Sequence, residues 1–179
     1  MRKFFLSLAA LAALALAGLL AFAATRPDTF RFERSTTIGA SPAQIRPLID
    51  DMKRFNSWNP YAQKVPASKA SYRGPAAGPG ATYDFEGDEV GKGTIRIVEP
   101  SGPDVVSMQL DMQEPMATRN HIDFRLEPQA SGTRVTWSMH GPTPYVAKVL
   151  HVLFDMDAMM ARDFDAGLAS LKALAEGRS

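Results

Sequence analysis

Apolar and polar residues alternate over several short segments after residue 28, which is the pattern of half-buried β-strands. In "TFRFERSTTI", Phe30 and Phe32 lie two positions apart, and the first strand is predicted to begin near Thr29. Gly, Pro and Asp separate five further segments with this alternation, "ATYDFEGDE", "GKGTIRIVEP", "VVSMQLDMQ", "ATRNHIDFRLEP" and "GTRVTWSMHG". The 64–80 stretch before them is a predicted loop with one short strand near residues 71–73. Consecutive hairpins should therefore form an antiparallel sheet with one apolar face.

Between the first two strands the apolar period changes to that of a helix. In "ASPAQIRPLIDDM", Ser41 is the predicted N-cap, Pro42 the first helical residue and Gln44 the partner in a capping box. Proline lacks the N–H that would bond to the carbonyl of residue 43, so we expect a kink at Pro47. The segment is thus predicted to be one short, kinked amphipathic helix.

The C-terminal segment carries a long helical stripe of apolar residues. Thr143 is the predicted N-cap, Gly177 marks the end, and an interruption is expected near residues 155–157. Gly167 lies inside this helix, where glycine is destabilising by up to about 1 kcal/mol relative to alanine, so a close approach of another group is expected there. One long helix, or two in tandem, should cover the apolar face of the sheet.

The amino terminus is predicted to enter a membrane. Arg2 and Lys3 precede about twenty uncharged residues, which is long enough for a helix to cross the hydrocarbon core. Ala21-Phe22-Ala23 resembles a signal-peptide cleavage site, but the apolar run is longer than that of a typical signal. Residues 1–25 are therefore interpreted as an anchor or a signal, and residues 26–179 as a separate domain. The positive-inside rule places that domain outside the cytoplasm, on the periplasmic side, or secreted if the segment is cleaved.

Composition and motifs narrow the chemistry. The formal net charge is only +1, and no basic run with interleaved aromatic residues indicates a nucleic-acid partner. The absence of cysteine excludes disulfides and thiolate chemistry. His121, His140 and His151 lack the spacing of a zinc motif, so no metal and no cofactor is predicted. The glycine-rich "GDEVGKGT" is interpreted as a hairpin rather than a phosphate loop, because it lies between two strands.

The order strand, short helix, antiparallel strands and long C-terminal helix accompanies three segments, "STTIGASPAQIRPLIDDMKRFNSWNP", "GTRVTW" and "DFDAGLASLKALAE". Together they resemble the START-like (SRPBCC) superfamily in its polyketide cyclase/dehydrase branch. The resemblance implies an α+β helix-grip fold, in which a curved antiparallel sheet wraps around the long C-terminal helix and encloses a hydrophobic cavity. No position matches a catalytic residue of that family.

Candidate cavity residues follow from the apolar faces of the strands and helix. They are Trp58, Tyr83, Phe85, Met108, Met112, Phe124, Trp137, Met139, Met156, Met160 and Phe164. Thioether side chains adapt to varied apolar shapes, so the methionines, with Met159 beside them, suit a lipid-like or polycyclic ligand, or they fill an irregular core. Trp58 is interpreted either as a structural plug or as a ligand contact, and both alternatives keep it buried. Asn59 before Pro60 predicts a turn.

The segment from Tyr145 to Phe154, "YVAKVLHVLF", is nearly apolar on all sides. Two interpretations stay open from the sequence. The helix docks on the bilayer, or it is completely buried under the 64–75 loop, as helices that are apolar all round usually are.

The sequence favours binding of a hydrophobic small molecule over catalysis, with a carrier or sequestering role at the membrane. The rival interpretation is an enzyme of the cyclase/dehydratase type, in which a polar group of the cavity moves a proton on a polyketide-like substrate. Tyr83 is the first candidate for that group. A third interpretation is an envelope interaction module that holds no ligand.

Overall fold

A seven-stranded antiparallel sheet is the centre of the molecule in the computed structural model, which describes residues 2–99 and 102–177. The strands are β1 (Thr29–Ile38), β2 (Ala70–Arg73), β3 (Thr82–Gly87), β4 (Gly91–Val98), β5 (Val105–Glu114), β6 (Thr118–Gln129) and β7 (Gly132–Pro142). They lie in the order β1-β7-β6-β5-β4-β3-β2. The strands from β3 onward are therefore hairpin neighbours, as the alternation predicts, and the glycine-rich segment forms the β3–β4 hairpin.

Six α-helices accompany the sheet within the described residues. They are α1 (Arg2–Ala24), α2 (Pro42–Ile45), α3 (Pro47–Asp50), α4 (Met52–Trp58), α5 (Tyr145–Leu153) and α6 (Met156–Ala175). The long helix α6 lies against β1 and α4. The curved sheet and this C-terminal helix form the predicted α+β helix-grip architecture, which is confirmed.

The predicted single helix after β1 is wrong in one respect, because the chain forms three short helices there. The capping box at Ser41 and Gln44 is present, but Pro47 ends the first helix and begins a new one. The backbone then turns at Asp51, whose carboxylate accepts hydrogen bonds from the N–H groups of Lys53 and Arg54 and so caps α4. The sequence predicts only a kink at Pro47, but this proline and the cap at Asp51 together divide the segment into separate helices.

The C-terminal helical segment begins later than predicted. Pro144, and not Thr143, occupies the N-cap position of α5. Thr143 instead extends the sheet edge, since its N–H donates to the carbonyl of Asp28 at 2.7 Å. The predicted interruption is confirmed: α5 ends at Leu153, and the Asp155 carboxylate caps α6 by accepting from the N–H of Ala158 at 2.9 Å.

The core fills the space between the sheet and the helices α2, α3, α4 and α6. Its buried residues come from positions 38–171, and α1 contributes none of them among the described residues. At the centre, Gly167 of α6 is so close to the sheet that an added Cβ would lie 2.7 Å from Cζ3 of Trp137. The predicted close approach is confirmed. The main buried cluster is therefore formed without α1, whose buried Ala23 lies outside it.

Helix α5 is not covered by the 64–75 loop, so the interpretation of complete burial is wrong. It packs against α1, where the Tyr145 hydroxyl donates to the carbonyl of Leu20 at 2.8 Å. Several of its apolar side chains remain exposed even beside α1. Helix α1 itself is long and apolar enough to cross a membrane by length and composition, features that a signal sequence shares.

Candidate ligand-binding cavity

A cavity of about 410 Å³ lies between the sheet, α6 and the segment that follows α4. This volume is within the range of about 300–1,000 Å³ that is usual for small-molecule sites. The inner wall is built from buried side chains, among them Phe55, Ile95 and Ile122. The mouth is marked by exposed lining residues, which are Lys64, Glu89 and Met159. The site is thus a largely apolar pocket whose charged lining residues are Lys64 and Glu89 at the mouth and the half-buried Asp163.

The closed end of the cavity is a cluster of packed aromatic rings. Trp137 stacks on Phe164 with ring centroids 4.1 Å apart, and this close stacking requires the missing side chain at Gly167. Behind these rings, Trp58 packs edge-on against Phe124 and Trp137 at 5.8 Å each. Rigid aromatic rings lose little conformational freedom on packing, so this end of the cavity has a fixed shape.

Methionines supply much of the remaining wall, and they come from two sides. Met112 and Met139 project from the sheet, while Met156, Met159 and Met160 project from the first turns of α6. Because a thioether chain is unbranched and can change rotamer, this part of the wall can adapt to ligands of different outline. The cavity therefore combines a rigid aromatic end with an adaptable side.

Most of the predicted site residues lie on the cavity wall. These are Tyr83, Phe85, Met112, Trp137, Met139, Met156, Met160 and Phe164. Their contact with a ligand stays a prediction. Trp58, Met108 and Phe124 do not line the cavity, which corrects that part of the prediction.

The three predicted residues that do not line the cavity are buried for identifiable reasons. The indole N–H of Trp58 donates to the carbonyl of Leu48 at 2.7 Å, which turns the ring toward α3 and makes Trp58 a structural plug. Phe124 is covered by Trp58 and Trp137. Met108 is fully buried in the core, so it is a packing residue rather than part of the adaptable wall.

Two tyrosines face the cavity with protonated hydroxyl groups. Burial, with a smaller contribution from neighbouring Tyr72, raises the pKa of Tyr83 to about 12. Burial and, after it, the negative charge of Asp163 raise the pKa of Tyr61 far above its usual range. Both phenols are neutral near pH 7 and serve as hydrogen-bond donors there, not as bases.

Two buried polar atoms on the wall have no hydrogen-bond partner in the part of the chain that the structure describes. They are Nε1 of Trp137 and Oδ1 of Asn120. Both atoms are buried in the packing of the wall, and Oδ1 of Asn120 lies directly against Gly141 of β7 rather than in the open cavity. One is a donor and the other an acceptor, and neither carries a charge.

Sequence reasoning missed several polar residues of the wall. Asn120 lies in register with Ile122 and Phe124 on the apolar face of β6, and that polar position on an apolar face was a usable signal. Asn59 forms the predicted turn, since its side-chain oxygen accepts from the N–H of Tyr61 at 3.2 Å, but it also faces the cavity. No sequence pattern indicates Asp163, because only the path of the chain after α4 brings it beside Tyr61.

The histidines are not gathered into a metal site. His121 and His140 stack with ring centroids 5.3 Å apart on the outer side of the sheet, while His151 lies near Phe32. Among residues 2–99 and 102–177, no group of three His, Cys, Asp or Glu side chains is placed to hold a metal ion.

Comparison with known structures identifies the architecture. An uncharacterised protein from Rhizobium leguminosarum is similar with a TM-score of 0.58 and 13% identity, over 84% of this chain and 96% of that one. The Aha1 dimer from Colwellia psychrerythraea is similar with a TM-score of 0.57 and 20% identity, over 84% and 98%. The di-domain ARO/CYC StfQ from the steffimycin biosynthetic pathway has a TM-score of 0.60 and 12% identity, over 84% of this chain and 51% of that one. At these identities the likeness shows the fold alone.

Comparison of sequences identifies the family. No protein of curated function has a sequence that matches this chain. The family model described as "Polyketide cyclase / dehydrase and lipid transport" matches residues 29–176, which is nearly the whole chain after α1. The chain therefore belongs to this polyketide cyclase/dehydrase and lipid transport family, within the START-like superfamily.

Proposed function

We propose that the domain binds an uncharged, largely apolar small molecule, such as a lipid or a polycyclic polyketide, and carries or sequesters it at the membrane. The observation that carries this proposal is the apolar cavity of about 410 Å³ between the sheet and α6. An interior that served only as a packed core would contain few voids larger than a water molecule. The adaptable methionine wall supports a ligand of variable outline.

The charges around the cavity support an uncharged ligand. Lys64 and Glu89 are exposed at the mouth and pair with each other at 3.6 Å. Apart from the half-buried carboxylate of Asp163 beside Tyr61, the inner wall has neutral polar side chains, such as those of Trp137 and Asn120. Burying an unpaired ionised group is strongly unfavourable, so a ligand acid would be poorly accepted among the aromatic rings of the closed end.

Helix α1 supports the membrane part of the proposal. As an uncleaved anchor it would hold residues 26–179 at the outer face of the cytoplasmic membrane, with Arg2 and Lys3 inside. The domain would then exchange ligand with lipid over a short distance. If α1 is removed, the same domain would act as a secreted carrier.

A second candidate function is catalysis of the cyclase/dehydratase type, and the Tyr61–Asp163 pair is the observation in its favour. A neutral phenol beside a carboxylate in the cavity could donate to a substrate carbonyl and orient it. Tyr83, the first candidate from the sequence, has no carboxylate among the causes that shift its pKa. Turnover of a polyketide-like substrate that is lost in Tyr61→Phe, with ligand binding retained, would favour the enzyme.

Native mass spectrometry of residues 27–179, before and after organic extraction, tests the binding proposal. We expect a retained apolar adduct in the wild type and its loss in Leu110→Trp, because the larger ring on β5 fills the cavity. Met108→Leu is the matched control on the same strand: it conserves volume, lies outside the cavity wall and should keep the adduct.

The absence of any adduct would not by itself end the proposal, so the extracted domain is then offered a fatty acid, a sterol and an aromatic polyketide. If none of these raises the thermal unfolding temperature, the methionines are core packing and the binding proposal is wrong. The domain would then be better described as a ligand-free interaction module.

A further inference from the structure

Helix α5 presents an apolar face to the outside of the molecule. Its exposed residues Val146, Leu150 and Leu153 are spaced i, i+4 and i+7, which places them on one side of the helix, and the exposed Phe154 follows as the C-cap. The exposed fractions of Val146, Leu153 and Phe154 are 59%, 56% and 58%, with α1 in place. We call these four residues the apolar face of α5.

The polar residues of α5 point the opposite way, toward the domain. Lys148 is 7% exposed, and its ammonium group forms an ion pair with Asp28 at 2.5 Å. His151 packs near the ring of Phe32, with centroids 6.4 Å apart. A surface helix in water normally buries its apolar side and exposes its charges, so α5 has the inverted arrangement. This inversion indicates that the outward side faces an apolar medium.

The contact between α5 and α1 identifies that medium. The Tyr145 hydroxyl donates to the carbonyl of Leu20, four residues before the end of α1 at Ala24. At about 1.5 Å per residue, this contact lies about 6 Å inside the end of the apolar helix. The same end carries Arg26, whose guanidinium lies 4.9 Å from the ring centroid of Phe22. Tyrosine and arginine at this depth are typical of the boundary between lipid tails and headgroups.

We infer that α5 lies in this boundary layer of the bilayer, with its apolar face in the lipid, and that it holds the cavity mouth against the membrane. Phe154 ends the apolar face, and α6 begins at Met156. Met156 and the exposed Met159 then line the cavity. A ligand leaving the bilayer would pass from Phe154 to the methionine wall at the mouth of the cavity. This route, unlike the docking itself, rests on the proposed binding function.

The 179-residue chain, with α1, is suited to a direct test of docking, because it contains no cysteine. Single substitutions Val146→Cys and Leu153→Cys carry an environment-sensitive NBD dye, in protein reconstituted into vesicles of phosphatidylcholine and phosphatidylglycerol. Ser170→Cys, on the exposed side of α6, is the matched control. We expect both α5 probes to emit as in an apolar medium and to be quenched by doxyl-labelled lipids, with the control unaffected. Emission from both α5 probes equal to that of the control would overturn the docking inference.

The double variant Leu150→Asp with Leu153→Asp tests the route. Neither residue lines the cavity, so the variant should still hold the adduct when loaded in detergent solution. Its uptake of ligand from vesicles should be at least about tenfold slower than that of the wild type, since charged residues do not enter the lipid boundary. Uptake at the wild-type rate would overturn the route. If the wild type holds no adduct and is stabilised by none of the offered ligands, the binding proposal fails, while the dye measurement still decides docking.

Discussion

The space for a side chain at position 167 is set by the two residues that face it. An added Cβ would lie 2.7 Å from Cζ3 of Trp137 and 3.0 Å from Cδ of Pro60. Alanine is favoured over glycine in a helix by about 1 kcal/mol, but overpacking a core is destabilising by about 1–3 kcal/mol. We therefore predict that Gly167→Ala lowers the free energy of unfolding of residues 27–179 in urea, despite the better helix propensity.

Trp137→Phe supplies the control for this prediction, because phenylalanine lacks the fused indole ring system and therefore the Cζ3 atom. In that background Gly167→Ala should be neutral or stabilising, and the two substitutions should be strongly non-additive. Additive effects would mean that the indole ring does not determine the requirement for glycine. The same ring closes the cavity, so the adduct of the double variant also reports whether the closed end keeps its shape.

At the scale of elements, the short edge strand β2 depends on one carboxylate of β3. Asp84 accepts hydrogen bonds from both Nε and Nη2 of Arg73 on β2, and from the hydroxyl of Thr94 on β4 at 2.7 Å. The bonds from Arg73, first, and those from Thr94 and Ser71 hold the pKa of Asp84 below its usual range. Strand β2 has four residues and pairs with one neighbouring strand only. The hydrogen bonds between Arg73 and Asp84 are therefore a substantial part of what holds β2 in the sheet.

We predict that Asp84→Asn lowers stability at pH 7 and flattens its dependence on pH. A carboxyl group whose pKa is lower in the folded than in the unfolded state stabilises the fold above about pH 4, and this contribution is lost as the pH falls through the folded pKa. Urea unfolding between pH 7 and pH 2 should therefore show the two proteins converging in acid. Hydrogen exchange should be faster in the β2 amides of the variant at pH 7.

Glu127→Gln, which removes an exposed carboxylate at the far end of β6, is the control for Asp84→Asn. It should leave the exchange of β2 unchanged. A difference between wild type and Asp84→Asn that stays constant down to pH 2 would show that the carboxylate charge does not stabilise the strand.

The elements that the sequence predicted correctly are those that local patterns determine. The strand alternation, the β3–β4 hairpin and the break before α6 depend on residues within a few positions of each other. The three helices between β1 and β2 could not be predicted in full, because the role of Asp51 as a cap depends on the turn that Pro47 starts. Asp163 and Tyr61 meet only through the packing of α6 beside α4. The exposure of α5 depends on a partner that is not part of the packed domain.

At the scale of the molecule, the chain combines a self-contained domain with an apolar helix and an outward apolar face. The core after residue 28 contains no residue of α1 among those described, and the family match begins at residue 29. The membrane contacts proposed for α1 and α5 could therefore change without unfolding the cavity. Cysteine labelling can therefore determine on which side of the membrane the domain lies, independently of ligand binding.

We predict that the domain lies outside the cytoplasm, attached through an uncleaved α1. In a bacterial host, the complete chain with Ser170→Cys should react with a membrane-impermeant maleimide in intact spheroplasts, because Arg2 and Lys3 retain the amino terminus inside. A cysteine in a short extension before Met1 is the matched control and should react only after lysis. The protein should stay in the membrane at alkaline pH, with an intact mass that includes residues 1–25. Reaction of Ser170→Cys only after lysis would contradict the predicted side. A soluble product lacking α1 would instead show a cleaved signal, and the apolar face of α5 would then have to find the bilayer without an anchor.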